Sequence, residues 1–373
     1  MTPSEQNLLM RQLLIRNSPL INKKLPTVTG AYGGTTRVKL NNTGLLTRLF
    51  AHIKLPYNAS VAPTSIGNKS VFAAVPKVQL IDFDGSTRIN TSAYLLQVIN
   101  SMRQRGSAML TANLQSLAGW TSVSAGESND FREPAISLAT GAQTLEFILE
   151  IPIAAHVERG DLRGMINAQF TSGDLQLAVD FASLLNGTTD DDFVFNGGTM
   201  TLGTPSIDVY QEYYLPQAIQ GVLPLPQEDL ATVYEIGVFS RTTDNLAAGQ
   251  EKLLNFPVIR EVNAVALDFI NNKLLGAGAA ANDLSQFVVY ANGNNILYQA
   301  SRTFQCHKQR YALAQDLPQG TYALDFSKGP ISTAIFGNVQ LAVVPQGTLT
   351  TPAVEVCFES IYAKGSTLSG APV

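Results

Sequence analysis

The 373 residues carry a formal charge of -4, with 45% hydrophobic and only 14% charged residues, 29 glycines and 18 prolines. A chain of this length can bury one large core or two ordinary ones, and low charge with many turn formers points to an all-β protein that hides much of its surface in an assembly. The acidic balance argues against a nucleic-acid-binding body, and the sequence has no run of about 18 uncharged apolar residues of the kind that crosses a bilayer as a helix.

"TPSEQNLLMRQLLIRN", residues 2–17, predicts a helix at the head of the chain. Thr2 and Glu5 have the spacing of a capping box, and Pro3 suits the first helical position. At 100° per residue Leu9, Met10, Leu13 and Leu14 make one apolar stripe, with Leu8 and Ile15 opposite among Arg11, Gln12 and Arg16. The helix therefore reads as having two apolar faces. Arg11 and Arg16 interrupt any secretion-type apolar region, so a signal peptide is not expected. Residues 1–40 hold six cations (Arg11, Arg16, Lys23, Lys24, Arg37, Lys39) against the single Glu5, a net +5 that leaves -9 for the remainder. A basic end on an acidic body suits an anionic partner such as lipid headgroups or phosphate.

Most of the chain beyond residue 40 alternates with period two between clusters of Gly, Pro, Asn and Asp. "GLLTRLFAHIKLP" puts Leu45, Leu49, Ala51, Ile53 and Leu55 on one face of a strand; "VNAVALDF" does the same with Val265, Leu267 and Phe269. "DFDGS" at 82–86 reads as a hairpin turn. "GDLQLAV" at 173–179 recurs as "GNVQLAV" at 337–343. A longer order of parts is duplicated as well. "VQLIDFDGSTRINTSAYLLQVINSMRQR" and "FVVYANGNNILYQASRTFQCHKQR" each give a strand, a tight turn at Asp84-Gly85 or Asn292-Gly293, an extended piece, and a helix with Asn90, Thr91 or Ser301 near its start. Both halves end on a strand after the Q-L-A-V segment, "IDVYQEYYLP" and "VEVCFESIYAK". The spacings place long insertions in the first half at about 107–172 and 180–206, the second containing "TTDDDF", read as a solvated acidic loop. The Pro-rich "LPQAIQGVLPLPQ", 215–227, joins two rigidly packed domains.

Chemical motifs are scarce. His52, His156 and His307 are far apart, Cys306 and Cys357 read as isolated reduced thiols, and "DFDGS" lacks the sixth-position Gly and the closing Glu of a calcium loop. No catalytic, cofactor or metal site is expected. Paired carboxylates are invisible at this level, so a carbohydrate-active β-sandwich and a trimeric phage spike or receptor-binding protein stand as alternatives.

The duplicated order resembles the double jelly-roll major capsid proteins of icosahedral viruses with an internal membrane, those of the tectivirus type above all. The likeness is densest in residues 77–106, 207–234 and 316–344. It implies an all-β chain of two eight-stranded jelly-roll β-sandwiches in tandem, with a few short helices and an N-terminal helix. The expected divisions are an inner arm 1–24, a first jelly roll 25–216, a connector 217–227, a second jelly roll 228–364 and a tail 365–373. It implies a major capsid protein forming pseudo-hexameric homotrimers, assembled in the host cytoplasm into a virion capsid over an internal lipid membrane. Neighbouring trimers and minor capsid or vertex proteins are its implied partners, with no direct nucleic-acid binding. It places the amino-terminal segment inward, which makes Arg11, Arg16, Lys23, Lys24, Leu9 and Leu13 the membrane-facing candidates.

Overall fold

The computed structural model describes residues 2–103, 136–170, 173–188, 191–243, 246–275, 282–313 and 317–364. The head of the chain is α1, Pro3–Asn17, and both arms of its capping box form: the Glu5 N–H donates to the Thr2 hydroxyl at 3.3 Å, and the Thr2 N–H donates to the Glu5 carboxylate at 2.6 Å. Eight strands form the two main sheets of the first half, beside shorter strand pieces: β1 (Leu20–Lys24), β2 (Thr35–Lys39), β3 (Leu45–Val61), β4 (Lys77–Ile81), β5 (Thr87–Thr91), β6 (Gly141–Pro152), β7 (Gln176–Asp180) and β8 (Ser206–Tyr214). Helix α2, Ala93–Arg103, follows β5. A short turn of helix, α3 (Gln227–Leu230), opens the second half. Its strands are β9 (Thr232–Thr242), β10 (Lys252–Asn255), β11 (Glu261–Asn271), β12 (Leu284–Ala291), β13 (Asn295–Ser301), β14 (Thr321–Asp325), β15 (Val339–Pro345) and β16 (Ala353–Ala363), with α4 (Arg302–Leu313) after β13.

The hydrogen-bond ladders of the halves share one plan. In the first, one sheet runs β1-β8-β3-β6 and the other β2-β7-β4-β5. In the second, the sheets run β9-β16-β11-β14 and β10-β15-β12-β13. Two facing four-stranded antiparallel sheets per half are a jelly roll, so the chain is a double jelly roll. The repeated Q-L-A-V segment is the same strand in each, at the same register: Gln176 lies opposite Lys39 and Ile81, and Gln340 opposite Asn255 and Tyr290. Both tight turns hold a Gly at positive φ, Gly85 at +82° and Gly293 at +85°, but only the second has the paired positive values of a two-residue hairpin turn, with Asn292 at +51°.

Three sequence expectations change. The segment 107–172 is not all insertion, because it contains β6, a full partner of β3 from Arg48↔Pro152 to Ala59↔Gly141. Its counterpart β14 is only five residues long, which made the extra length look like loop; residues 104–135, with Trp120, and 171–172 lie outside the described residues. Asn90 and Thr91 belong to β5, and the α2 start is capped instead by the Ser92 hydroxyl, which accepts from the Leu95 N–H at 3.3 Å. The acidic loop is only partly solvated. Asp191 is buried and accepts from the N–H groups of Asn68 and Leu275, while Asp192 is exposed and meets Lys69 and Arg241; Asp190 lies outside the described residues, as does the tail 365–373.

The halves are fused through their cores. β5 pairs in parallel with β9 at Ile89↔Ile236 and Asn90↔Gly237, joining a sheet of the first jelly roll to one of the second. On β11, Val265, Leu267 and Phe269 point into the second core as predicted, while Ala264, Ala266 and Ile270 on its other face belong to the apolar cluster of the first half. What covers that face is α2, so the strand is apolar on both sides.

Candidate assembly and membrane-facing surfaces

Helix α1 crosses the base of the molecule and is held by both halves. Leu14, fully buried, packs with Leu45, Ala154, Leu162, Met165 and Tyr214. One and two turns earlier, Arg11 and Asn7 share that inward side and meet Asp229 of α3. Arg11 donates to the Asp229 carboxylate at 2.6 and 2.5 Å, Asn7 Nδ2 donates to it at 3.1 Å, and the Glu228 N–H donates to Asn7 Oδ1 at 3.0 Å. The docked face is therefore Asn7, Arg11 and Leu14 rather than the Leu9/Met10/Leu13/Leu14 stripe. Of the membrane-facing candidates, Arg11 has its charge committed to a buried carboxylate 218 positions away in sequence. Leu8, Leu9 and Ile15 are exposed beside Arg16, and Leu13 is half-buried on the outer side. On β1, Lys23 is exposed and Lys24 reaches Asp208 at 3.0 Å. The connector lies against this end: the Leu215 N–H donates to the Pro19 carbonyl, and Leu215, Val222 and Leu223 are exposed.

Above the base runs a polar seam between the jelly rolls. Asp268 of β11 is fully buried; it accepts from the Thr321 hydroxyl at 2.9 Å on one oxygen and faces Lys69 Nζ of the first half at 3.7 Å with the other. Because Thr321 gives its proton to Asp268, the Tyr94 hydroxyl of α2, 2.9 Å away, donates to Thr321 and completes a chain across the halves. Burial pushes the Asp268 carboxyl up to about 7, with Lys69 opposing and Glu355 and Asp192 adding to the rise. Lys69 stays protonated against the same burial because Asp268, Glu355 and Asp192 surround it. Nearer the base, Glu359 accepts from the Tyr234 hydroxyl at 2.7 Å and faces Arg103 at 3.6 Å, and burial raises its carboxyl above the usual range. The backbones meet here at Gly164, whose φ is +92° and where an added Cβ would stand 2.4 Å from Tyr234 Cβ.

The two equivalent helices differ in what they cover. α2 is buried from Ala93 to Met102 except for half-buried Gln97, because it is sandwiched between its own half and the outer face of β11, β14 and β16. α4 starts the same way, its Phe304 N–H donating to the Ser301 hydroxyl at 3.3 Å, as predicted for Ser301. It then packs on one side only, through Gln305, Gln309 and Leu313, leaving Phe304 53% exposed with His307, Lys308 and Arg310. The matching outer face of the first half, on β3 and β6, displays Phe50, Lys54, Glu146 and Ile148 at least partly to solvent.

The three histidines stay apart. His52 lies 3.2 Å from Glu146, His156 sits in the loop after β6, and His307 is on α4. Both cysteines are free thiols, and burial pushes that of Cys357 far up. Among the described residues no three His, Cys, Asp or Glu gather as metal ligands, and no helix is long and apolar enough to cross a membrane.

Comparison with known proteins bears on the same two halves. Residues 10–217 match the family described as P3 major capsid protein N-terminal, and residues 231–372 the family described as P3 major capsid protein C-terminal. Major capsid protein P3 of Enterobacteria phage PRD1 is 26% identical over 369 residues, covering 91% of this chain and 87% of that protein. Among solved structures, a chain from the atomic structure of Sulfolobus Turreted Icosahedral Virus superposes with TM-score 0.64 at 12% identity, over 95% of this chain and 94% of its own. The PBCV-1 virus capsid gives 0.57 at 12% over 96% and 98%, and the major capsid protein P2 from Bacteriophage PM2 gives 0.51 at 10% over 93% and 99%. Identities this low speak to the fold, and the fold they share is the double jelly roll. The family matches, which take up the two jelly rolls in order, speak to more: this chain belongs to the P3 major capsid protein family and is a structural component of a phage capsid, not an enzyme.

Proposed function

We propose that three copies of the chain close into a pseudo-hexameric capsomer that tiles the shell with its α1 end inward over a lipid membrane. The observation that carries the trimer is the contrast between α2 and α4. Inside one chain, the first half lays α2 on the outer sheet face of the second. Repeating that contact by a rotation of about 60° brings α4 of the second half onto the β3/β6 face of the next chain's first half, and three chains close the ring. Phe304 then takes the place Leu95 has in α2, and Lys308 and Arg310 approach the side that carries Glu146. The free edge of β13, where Ile296 is 54% exposed, comes beside β1 of the neighbour as β5 lies beside β9. The membrane side rests on the base, where Leu9 and Leu13 share an outer surface with Arg16, and Lys23 is exposed on β1, each cation contributing about 1 kcal/mol at an anionic surface. Neighbouring trimers and minor vertex proteins complete the partners of this reading, with assembly in the host cytoplasm.

Mass measurement and negative-stain microscopy of purified protein test the trimer. The expected result is a trimer mass with hexagonal outline, converted to folded monomers by Phe304→Glu with His307→Glu. Monomers from the unaltered chain would sink it. The lipid side is tested by flotation with anionic vesicles, using Leu9→Glu with Arg16→Glu. Deleting residues 1–24 is the wrong variant, because it also removes the Leu14 and Asp229 contacts and all of β1.

A further inference from the structure

The base carries a second exposed apolar feature, and it belongs to the other jelly roll. β11 begins opposite the end of β16, at Glu261↔Ile361, and just past that end the Lys364 N–H donates to the Ala231 carbonyl. Ala231 follows the α3 turn whose Asp229 holds α1, so residues 256–260 and the helical turn Thr333–Phe336 lie at the same end of the molecule as α1. There Val258 is 55% and Ile335 79% exposed, the latter the most exposed large aliphatic among the described residues.

These side chains are held outward by a rigid platform. The Thr333 hydroxyl accepts from the Arg260 N–H at 2.8 Å and donates to the Pro257 carbonyl at 2.9 Å, and the Thr333 N–H donates to the Arg260 carbonyl at 2.8 Å. The Arg260 guanidinium stacks over Tyr362 and reaches Glu235 at 3.1 Å. Next to Val258, Ile259 takes φ +52°, a conformation a β-branched residue adopts only under constraint. Between this platform and α1 the two jelly rolls leave a cleft of about 380 Å³, with Arg159, Arg163 and Asp161 on one wall, Lys328 and Asp325 on the other, and the Arg103–Glu359 pair at its back. Arg163 is paired with Asp161, whereas Lys328 is exposed and makes no ion pair among the described residues.

We propose that Val258 and Ile335 form a second lipid-contacting foot, with Lys328 and Arg159 facing anionic headgroups between it and α1, so that each chain meets the bilayer through both jelly rolls. Two exposed aliphatics, one on a loop and one on a helical turn, with the cations of the cleft beside them, suit insertion into a fluid headgroup boundary better than a docked protein. The inference rests on the reading that the α1 end faces lipid.

The test is flotation of the full-length chain with vesicles of phosphatidylethanolamine and phosphatidylglycerol. Four proteins are compared: the unaltered chain, Val258→Asp/Ile335→Asp, Leu9→Glu/Arg16→Glu, and all four substitutions together. Both aliphatics are exposed, so trimer mass and thermal stability are expected to stay unchanged. The second-foot variant is expected to float about tenfold less well than the unaltered chain, and the fourfold variant less than either pair alone. Loss of flotation in the Leu9/Arg16 variant with none in the Val258/Ile335 variant would overturn the second foot while leaving the lipid reading intact. No flotation of the unaltered chain would remove both. A change of oligomer mass in the Val258/Ile335 variant would reassign the patch to contacts between copies and overturn the proposal.

Discussion

Asp229 organises the base as a single residue. Its side chain is 1% exposed, and its charge is answered by Arg11 and by the amide of Asn7, all from one face of α1. Arg11→Ala strands that carboxylate and is expected to cost about 3 kcal/mol. Because removing both charges leaves nothing unpaired, Arg11→Ala with Asp229→Ala should cost clearly less than the two single changes summed. Urea denaturation of the four proteins reads this directly, and additive losses would show that the pair is not coupled. Gly164 is the steric counterpart. A side chain there needs φ near +92° and the space held by Tyr234, so Gly164→Ala is expected to lose on the order of 2 kcal/mol or more, measured as a fall in the thermal midpoint.

At the scale of the element, α2 and α4 offer a paired measurement. Leu95 and Phe304 each stand three residues after a capping serine, one fully buried and the other 53% exposed. Leu95→Ala should cost about 2–5 kcal/mol as any emptied core site does, whereas Phe304→Ala should leave the folding of one chain within about 0.5 kcal/mol and weaken only association. Denaturation at low protein concentration, set beside the concentration dependence of the trimer mass, separates the two effects. The same pair marks how far the sequence could be read. The Q-L-A-V repeats, the two hairpin turns and the capping serine at 301 were legible because period-two alternation and turn chemistry are local. The face of α1 that docks was not, because an Asn and an Arg were drawn inward by a carboxylate more than two hundred residues away. Nor was β6, which hid inside an apparent insertion for want of a long counterpart. Asp191 and Asp192 read as a solvated acidic loop; their partners, Asn68, Lys69, Arg241 and Leu275, are supplied by segments that only the fold brings together.

For the whole molecule, the seam makes the fit of one jelly roll to the other depend on protons. The Asp268 carboxyl rises to about 7 in the folded chain from an ordinary 3.8, so the folded state holds a proton that the unfolded state releases. Stability from this group is fully present below about pH 4, is lost as pH rises through 7, and amounts to a few kcal/mol in all. Glu359, raised by burial against Arg103, acts in the same direction. Asp192 acts in the opposite direction at lower pH: burial opposes its charge, but Lys69 and Arg241 outweigh it and hold the carboxyl below its usual value. The expected profile is therefore a thermal midpoint that climbs as pH falls from about 7 to about 4 and falls again in stronger acid. Asp268→Asn mimics the protonated carboxyl and leaves Lys69 with Asp192 at 3.3 Å. It should match the unaltered chain near pH 4, exceed it at pH 8, and flatten the climb. A slope unchanged by that substitution would place the proton elsewhere in the seam, with Glu359→Gln as the variant that should then flatten it.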